Sequence, residues 1–482
     1  MGPLYSKARI TVAYIGAPKT TNPHDAFIST FAASGALTLP LVHFRGALEV
    51  PELKMDTLFE LWLQPWFSRS WVFQEMVLAS DIVCLYGDEH EHASWSPNLM
   101  MEWMTNVADP DKSSHVWKPT ITQPSSTEAK QMSYNQVNIE TWRILRNKLR
   151  QSPSGLDPID VLSHGRRADA SDSRDKVYSF IGLFRKDDSN ALNVDYSKSN
   201  TVAKTFIDFA EFCILSGQAI RLLEHAGISQ KVPGLPSWVP DWTFEPRYPM
   251  HYGNYHCAGS TKSSVSLTKE LGKIRARGWT IGIVERLGPA CSYPGGALMA
   301  PYPPISIDKG TIVLEGFAYE ICKMLADSND CINGEHFSDV IWRTLLMDQN
   351  STGSRCDDGY RRYYECWCAA RNVDKRCSRY NSIPGLTSTD PRVRKYATFF
   401  EGAASIISGR VLCLISGGLF GMLPNDAVKG DIIAVLQGGR TPFAVRHVAG
   451  SEEYQLVGPC YVHGIMDGQF VADAELREPV IR

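Results

Sequence analysis

The stretch QPWFSRSWVFQEMVLASDIVCLYG, Gln64 to Gly87, decides how the first part of the chain is read. From about Ser70 to Ala79 the apolar residues Val72, Phe73, Met76 and Val77 recur at helical spacing and form one face, with Ser68 or Ser70 as the cap. Asp81 to Tyr86 then reads as a short strand ended by Gly87. Upstream, Arg9 to Ile15 alternates, carries β-branched residues and stops at Gly16-Ala17-Pro18, which predicts a strand near the start of the chain. Strand, helix and strand, followed by a helical stretch from Pro97 to Val107, predict an α/β unit.

Beyond this unit the composition from Asp109 to Lys130 turns to Pro, Ser, Thr and Asp, the mark of a surface loop or linker. Helical patterns resume at Gln136 to Leu149, Pro158 to His164, Arg174 to Phe184 and Thr201 to Ser216. In the third of these Val177, Phe180, Ile181 and Phe184 fall on one face, Asp172 is the expected cap, and Asp175 answers it three residues later. Residues 243–310 are rich in Tyr, Pro, Gly and Ser and read as loops around short strands; helices are expected again over Glu335 to Met347 and Arg392 to Ser408. From Arg410 to Val471, short alternating runs punctuated by glycine pairs predict a small antiparallel sheet or barrel. The expected organisation is a mixed α+β chain: a partial α/β portion over 1–90, a mostly helical region over 91–242, an irregular insert over 243–310, a helical region over 311–408 and a β module over 409–482.

Composition narrows the function classes. The 482 residues are 44% hydrophobic and 21% charged, which is ordinary globular usage and enough to bury a sizeable core. Lys plus Arg (49) nearly balances Asp plus Glu (52) and no long basic run occurs, so the field that holds a phosphate backbone is lacking and nucleic acid is not an expected partner. The longest uncharged apolar stretch, Val411 to Leu423, is interrupted by Gly417, Gly418 and Gly421 and is too short for a membrane span. Twelve cysteines with no secretory leader ahead of them predict reduced thiols and a cytoplasmic setting.

Three stretches, taken in order, resemble the fungal heterokaryon-incompatibility (HET) domain family. They are QPWFSRSWVFQEMVLA with its following strand; DSRDKVYSFIGLF (Asp172 to Phe184) with Val194-Asp195-Tyr196-Ser197 and the Leu235 to Trp242 run LPSWVPDW; and the tail GRVLCLISGGLFGMLPNDAVKGDIIAVLQGGRTPFAVRH with YQLVGPCYVHGIMDG. Met1 to Gly16 is similar to a strand inside that domain, whereas the upstream Ala-Leu-Ser-Tyr-x-Trp-Gly and Cys-Ile-Asn-Gln signatures do not occur. The resemblance therefore implies the rear portion of a HET domain, its front part missing, with an exposed sheet edge open to a partner. It also implies self/non-self recognition and programmed cell death signalling in vegetative incompatibility, through a regulatory protein partner. The HET domain is similar to the TIR domain, a flavodoxin-like fold with NAD-cleaving members; this makes an NAD glycohydrolase the alternative and an inactive remnant the third reading. A nucleotide pocket would be built largely from the missing front, so no cofactor and no enzyme activity are expected.

Candidate chemistry centres on the first stretch. Arg69 lies near the positive end of its helix, an unfavourable place for a cation, and either joins Gln74 and Glu75 in a polar contact cluster or pairs with Glu60 or Asp172. Glu75 shares a helix face with Trp71, and a carboxylate against an indole can have a raised pKa suited to acid/base work; it is the one catalytic candidate, weighed against an exposed surface acid. The interaction set is thus Trp66, Arg69, Trp71, Gln74 and Glu75. Asp172, Arg174, Asp175, Trp238, Asp241 and Trp242 are expected to hold structure, the tryptophans as packing residues because no basic groove accompanies them. No metal is expected: His90-Glu91-His92 lacks a third ligand nearby, and Cys356, Cys366, Cys368 and Cys377 contain no Cys-x-x-Cys pair. Cys460, His463 and Asp467 form a nucleophile triad only on paper, and the Gly417-Gly418 pair reads as a β turn.

Overall fold

A computed structural model describes residues 2–8, 10–16, 61, 63–87, 92–95, 126–230, 232–243, 254–291, 331–332, 335–350, 353–370, 392–393, 395–396, 405–407, 409–470 and 476–482. The chain divides into two compact units, the first formed chiefly by residues 1–202 and the second by 203–482. The Pro97 to Val107 helix lies outside the described residues.

The first unit opens with helix α1 (Gly2–Lys7) and strand β1 (Thr11–Gly16). A 3-10 turn at Pro65–Ser68 leads into α2 (Val72–Leu78), then β2 (Ile82–Gly87) and β3 (His92–Trp95). β1 runs parallel to β2 in the register Thr11 to Ile82, Val12 to Val83 and Ala13 to Cys84, while β3 pairs antiparallel with β2. Parallel neighbours need a crossover, and α2 lies in it. Ala13, Ile15, Ile82, Cys84 and Tyr86 are buried whereas Val12 and Tyr14 are exposed, the two-residue alternation of a sheet covered on one face among the described residues.

Helix α3 (Ser126–Gln151) runs 26 residues and begins ahead of the expected Gln136, inside the segment read as linker. Its opening Ser126-Thr127-Glu128 has the polar composition shared by loops and helix starts, so composition alone misplaced the boundary. What fixes α3 is its inward face. Trp142 is fully buried among Trp66, Phe67 and Phe73, with ring centroids 5.6, 6.3 and 5.8 Å away. The same face serves backbone carbonyls: the Asn138 amide donates to Phe67 O at 3.1 Å, and the Arg146 guanidinium to Met76 O at 2.6 Å and Ser80 O at 3.2 Å. No basic residue sits in the last turn of α2, so Arg146 supplies from α3 what that helix end lacks.

Helices α4 (Pro158–Gly165), α5 (Asp175–Tyr178) and α6 (Lys186–Ala191) complete the unit. Asp157 caps α4, accepting from Asp160 N at 3.2 Å. The single helix expected from Arg174 to Phe184 is instead the short α5 followed by a 3-10 turn at Ile181–Leu183. Val177, Phe180 and Phe184 of the expected face are buried, but Leu183 is buried in place of the half-buried Ile181, because backbone bonds from Leu156 N to Leu183 O (2.9 Å) and Arg185 N to Leu156 O (3.1 Å) draw the end of the segment into extended form.

The second unit begins with α7 (Val202–Leu215) and α8 (Ala219–Leu223). Strands β4 (Ser266–Leu267), β5 (Ile274–Arg275) and β6 (Gly278–Cys291) follow, then the small β7 (Cys331–Ile332) and β8 (Glu335–His336) pair, α9 (Phe337–Leu345) and α10 (Gly359–Ala370). The C-terminal strands are β9 (Arg410–Ile415), β10 (Leu419–Pro424), β11 (Ile432–Leu436), β12 (Phe443–His447), β13 (Glu453–Pro459), β14 (Tyr461–Val462), β15 (Leu476–Arg477) and β16 (Val480–Ile481).

These strands form a ring. β10 pairs with β9, β9 with β6, β6 with β11, β11 with β12 and β12 with β13; β13 continues through Cys460 into β14, which returns to pair with β10. The expectation of a small sheet or barrel is met, but its central strand, β6, comes from within the region read as an irregular insert and not from the C-terminal run. β6 was hidden because Gly278, Gly282 and Gly288 break its alternation. Two of them are needed where neighbours press close: a Cβ on Gly278 would lie 2.5 Å from Val435 O and one on Gly282 2.7 Å from Ile415 Cγ2. Val411, Cys413, Ile415, Leu423, Ile433, Val435 and Val462 share one core with Cys257 and Cys460, and the alternate residues Leu412, Phe420, Met422 and Tyr461 share another with Trp342, Leu345 and Trp367 from α9 and α10. Charge pins the ring: the Arg440 guanidinium forks onto the fully buried Glu224 next to α8, and Arg446 forks onto Asp431 at 2.8 and 3.0 Å.

Candidate functional site

The first unit gathers the polar residues singled out in the sequence around α2. Arg69 follows the 3-10 turn in extended backbone, bridged in parallel to Asp169, and Ser70 N donates to Asp169 O at 2.8 Å. This strand-like anchor turns the Arg69 side chain outward, where it is exposed and makes no ion pair among the described residues. Asp172, one of its two expected partners, belongs to Arg174 instead; the other, Glu60, lies outside the described residues.

One turn on, the Trp71 indole Nε1 donates to the Asp175 carboxylate at 3.0 Å, and the Gln74 amide donates to Ser179 O at 2.7 Å. Asp175 does not answer Asp172 as a capping acid; it accepts from Trp71 and from the hydroxyl of Tyr196. Arg174 grips Asp172 through Nε (3.0 and 3.2 Å) and Nη2 (2.7 Å), donates to Ser197 O and Asn200 O, and lies over the Tyr196 ring at 5.1 Å. That grip holds the Asp172 carboxyl below the usual carboxylate range. The two resemblance motifs and the Val194 to Ser197 turn are thus joined by side chains.

Glu75 points elsewhere. Its carboxylate accepts from the Tyr5 hydroxyl on α1 at 3.3 Å, not from the Trp71 indole. Burial pushes the Glu75 carboxyl above its ordinary range, opposed by the Tyr5 hydrogen bond and by the Arg69 charge. Burial, with the Glu75 charge added, also raises the nearby Cys84 thiol, so that cysteine stays protonated and inert. Trp66 is buried in the aromatic cluster and Gln74 is buried with its Oε1 unpartnered among the described residues, so the accessible part of the set is the exposed Arg69 with the half-buried Trp71 and Glu75. Sequence reading missed Tyr5, Ser179 and Tyr196, whose contacts cross 70, 105 and 21 positions and leave no periodic signal.

Trp238, Asp241 and Trp242 lie in the second unit, all buried. The Trp238 indole donates to Gly272 O at 2.9 Å, and Asp241 ties a turn by accepting from Val232 N, Thr243 N and the Thr243 hydroxyl. Cys460, His463 and Asp467 do not converge: His463 stands between Tyr461 (3.2 Å) and Glu335 (3.1 Å), Asp467 pairs with Arg355, and burial pushes the Cys460 thiol up to about 12. Among the described residues no group of three or more His, Cys, Asp or Glu is placed to hold a metal. His90, Glu91 and Cys377 lie outside those residues. No described helix is long and apolar enough to cross a membrane.

Strands β9 to β15 of the second unit fall within residues 385–480, which match the family model of the Het-6 beta-barrel domain. The chain is also similar to heterokaryon incompatibility protein 6, OR allele, of Neurospora crassa, at 24% identity over 347 residues, 63% of this chain and 50% of that protein. Both matches are to fungal heterokaryon-incompatibility proteins and support the resemblance to that family. It spans about half the length of the curated relative. No solved structure matches it.

Proposed function

We propose that the chain acts in fungal vegetative incompatibility, in the cytoplasm, as a self/non-self recognition protein whose engagement with a protein partner leads toward programmed cell death. The observation that carries this reading is the similarity to the Neurospora incompatibility protein over 63% of the chain, running beyond the barrel. The contact surface in this reading is the exposed Arg69 with the half-buried Trp71 and Glu75, because Arg and Trp are residue types that anchor protein interfaces and Arg69 makes no ion pair among the described residues. The TIR-like, flavodoxin-like character of the first unit belongs to the same proposal; the β1–α2–β2 crossover with its parallel pairing supports it.

The test is inducible expression of the full chain in a filamentous fungus, with growth and viability as the readout. Growth arrest that R69A abolishes, with the R69A protein accumulating to the same level, supports the reading. Unchanged growth on fusion with every tester strain, at confirmed expression, overturns it.

A further inference from the structure

β1 is the outer strand of its sheet among the described residues, and its two sides differ. Thr11 N donates to Asp81 O, so Thr11, and by alternation Ala13, turn their backbone groups toward β2. Val12 and Tyr14 therefore turn theirs toward the open edge. Their side chains stand on the uncovered face, with Ile10, Val12 and Tyr14 exposed by 51, 61 and 58%. An apolar, uncharged outer strand is a template for another strand unless it is blocked.

We infer that two copies of the chain pair through β1, antiparallel about a two-fold axis at Ala13. The backbone limits the register: residues whose N–H and C=O groups face the open edge must form the hydrogen-bonded pairs, and among the two-fold registers this allows, the axis at Ala13 overlaps most of Ile10 to Gly16 and sets Val12 opposite Tyr14 of the second copy. The same register makes the strand complementary to itself: each exposed pair joins a β-branched residue to an aromatic one, a favourable cross-strand combination, and Ile10 faces Gly16. Ile10 to Gly16 contains no charged residue, so the two-fold axis sets no like charges opposite each other. The product is one sheet continuous through both copies, with the Ile10, Val12 and Tyr14 rows of both on the same face. The inference stands on this geometry and does not depend on the incompatibility reading.

Sedimentation of the full chain tests it. The unaltered protein is expected to have the mass of two chains. V12P removes only an N–H that faces the open edge and spares the bonds to β2, so it is expected to give the mass of one chain with an unchanged circular dichroism spectrum. V12K and Y14E are each expected to give the mass of one chain, and the double variant V12K/Y14E to restore the mass of two, because each lysine then faces a glutamate. A single-chain mass for the unaltered protein, which would leave the strand to a different occupant, overturns the inference. So does a dimer that survives both V12P and V12K, or a double variant that stays monomeric.

Discussion

The Trp71 indole and the Asp175 carboxylate, 104 positions apart, meet at 3.0 Å, and the same carboxylate takes the Tyr196 hydroxyl. Asp175 thus holds α2, α5 and the Val194 to Ser197 turn together with neutral donors, its neighbour Arg174 being committed to Asp172. Replacing Asp175 by Ala strands the half-buried Trp71 indole and frees the exposed Tyr196 hydroxyl to water, and is expected to cost about 1–2 kcal/mol. W71F removes one of these bonds alone, so the W71F/D175A double-mutant cycle in urea denaturation is expected to give a coupling of about 1 kcal/mol. A coupling of zero would show that the bond contributes nothing to stability.

How much of this site the sequence reveals depends on whether a residue acts along its own element or across elements. The face Val72, Phe73, Met76 and Val77 is readable because helical periodicity is local, and these residues are buried. The roles of Gln74, Asp175 and Arg146 are not, since each side chain serves a backbone or side chain at least 66 positions away. The barrel shows the same divide. Strands β9, β11, β12 and β13 alternate and were found, whereas β6 carries glycines placed by the approach of Val435 and Ile415, a cause located in other strands.

Arg146 gives the second prediction. Its guanidinium is buried, donates to two carbonyls at the end of α2, and has no carboxylate within ion-pair distance among the described residues. R146M keeps the stem and leaves Met76 O and Ser80 O without donors, which is expected to cost about 2–4 kcal/mol. R146K, which reaches with one ammonium in place of a fork, is expected to recover part of this in the same denaturation measurement. A fully stable R146M would mean that the carbonyls find other donors.

Glu75 fixes the sign of a pH effect. Its carboxyl is raised in the folded chain by burial, so the folded state holds the proton more tightly than the unfolded state. The resulting stabilisation is complete below the ordinary glutamate range and is lost as pH rises through the raised value. E75Q, which keeps an acceptor for the Tyr5 hydroxyl and has no charge to bury, is expected to be more stable than the parent at neutral pH and to converge with it in acid. Thermal melts across pH 4 to 8, roughly the window over which carboxyl groups of this kind titrate, read this directly. A parent whose stability relative to E75Q rises with pH would reverse the sign.

The ring of the second unit closes where β14 meets β10, and Gly421 sits at that seam in register with Val462. A Cβ there would lie 2.7 Å from Tyr461 O, a backbone atom that cannot swing aside as a side-chain tip can. G421A must therefore push the two strands apart, at an expected cost of about 1–3 kcal/mol, and is expected to speed amide exchange of Tyr461 and Val462 ahead of the other strands. Gly417 is the control. It has φ of +85° with open space around its missing Cβ, so G417N, with a residue that tolerates left-handed backbone, is expected to change stability little. If G421A exchanges no faster than the parent at Tyr461 and Val462, the ring is not held at this seam, and the continuity of β13 with β14 through Cys460 must carry the closure alone.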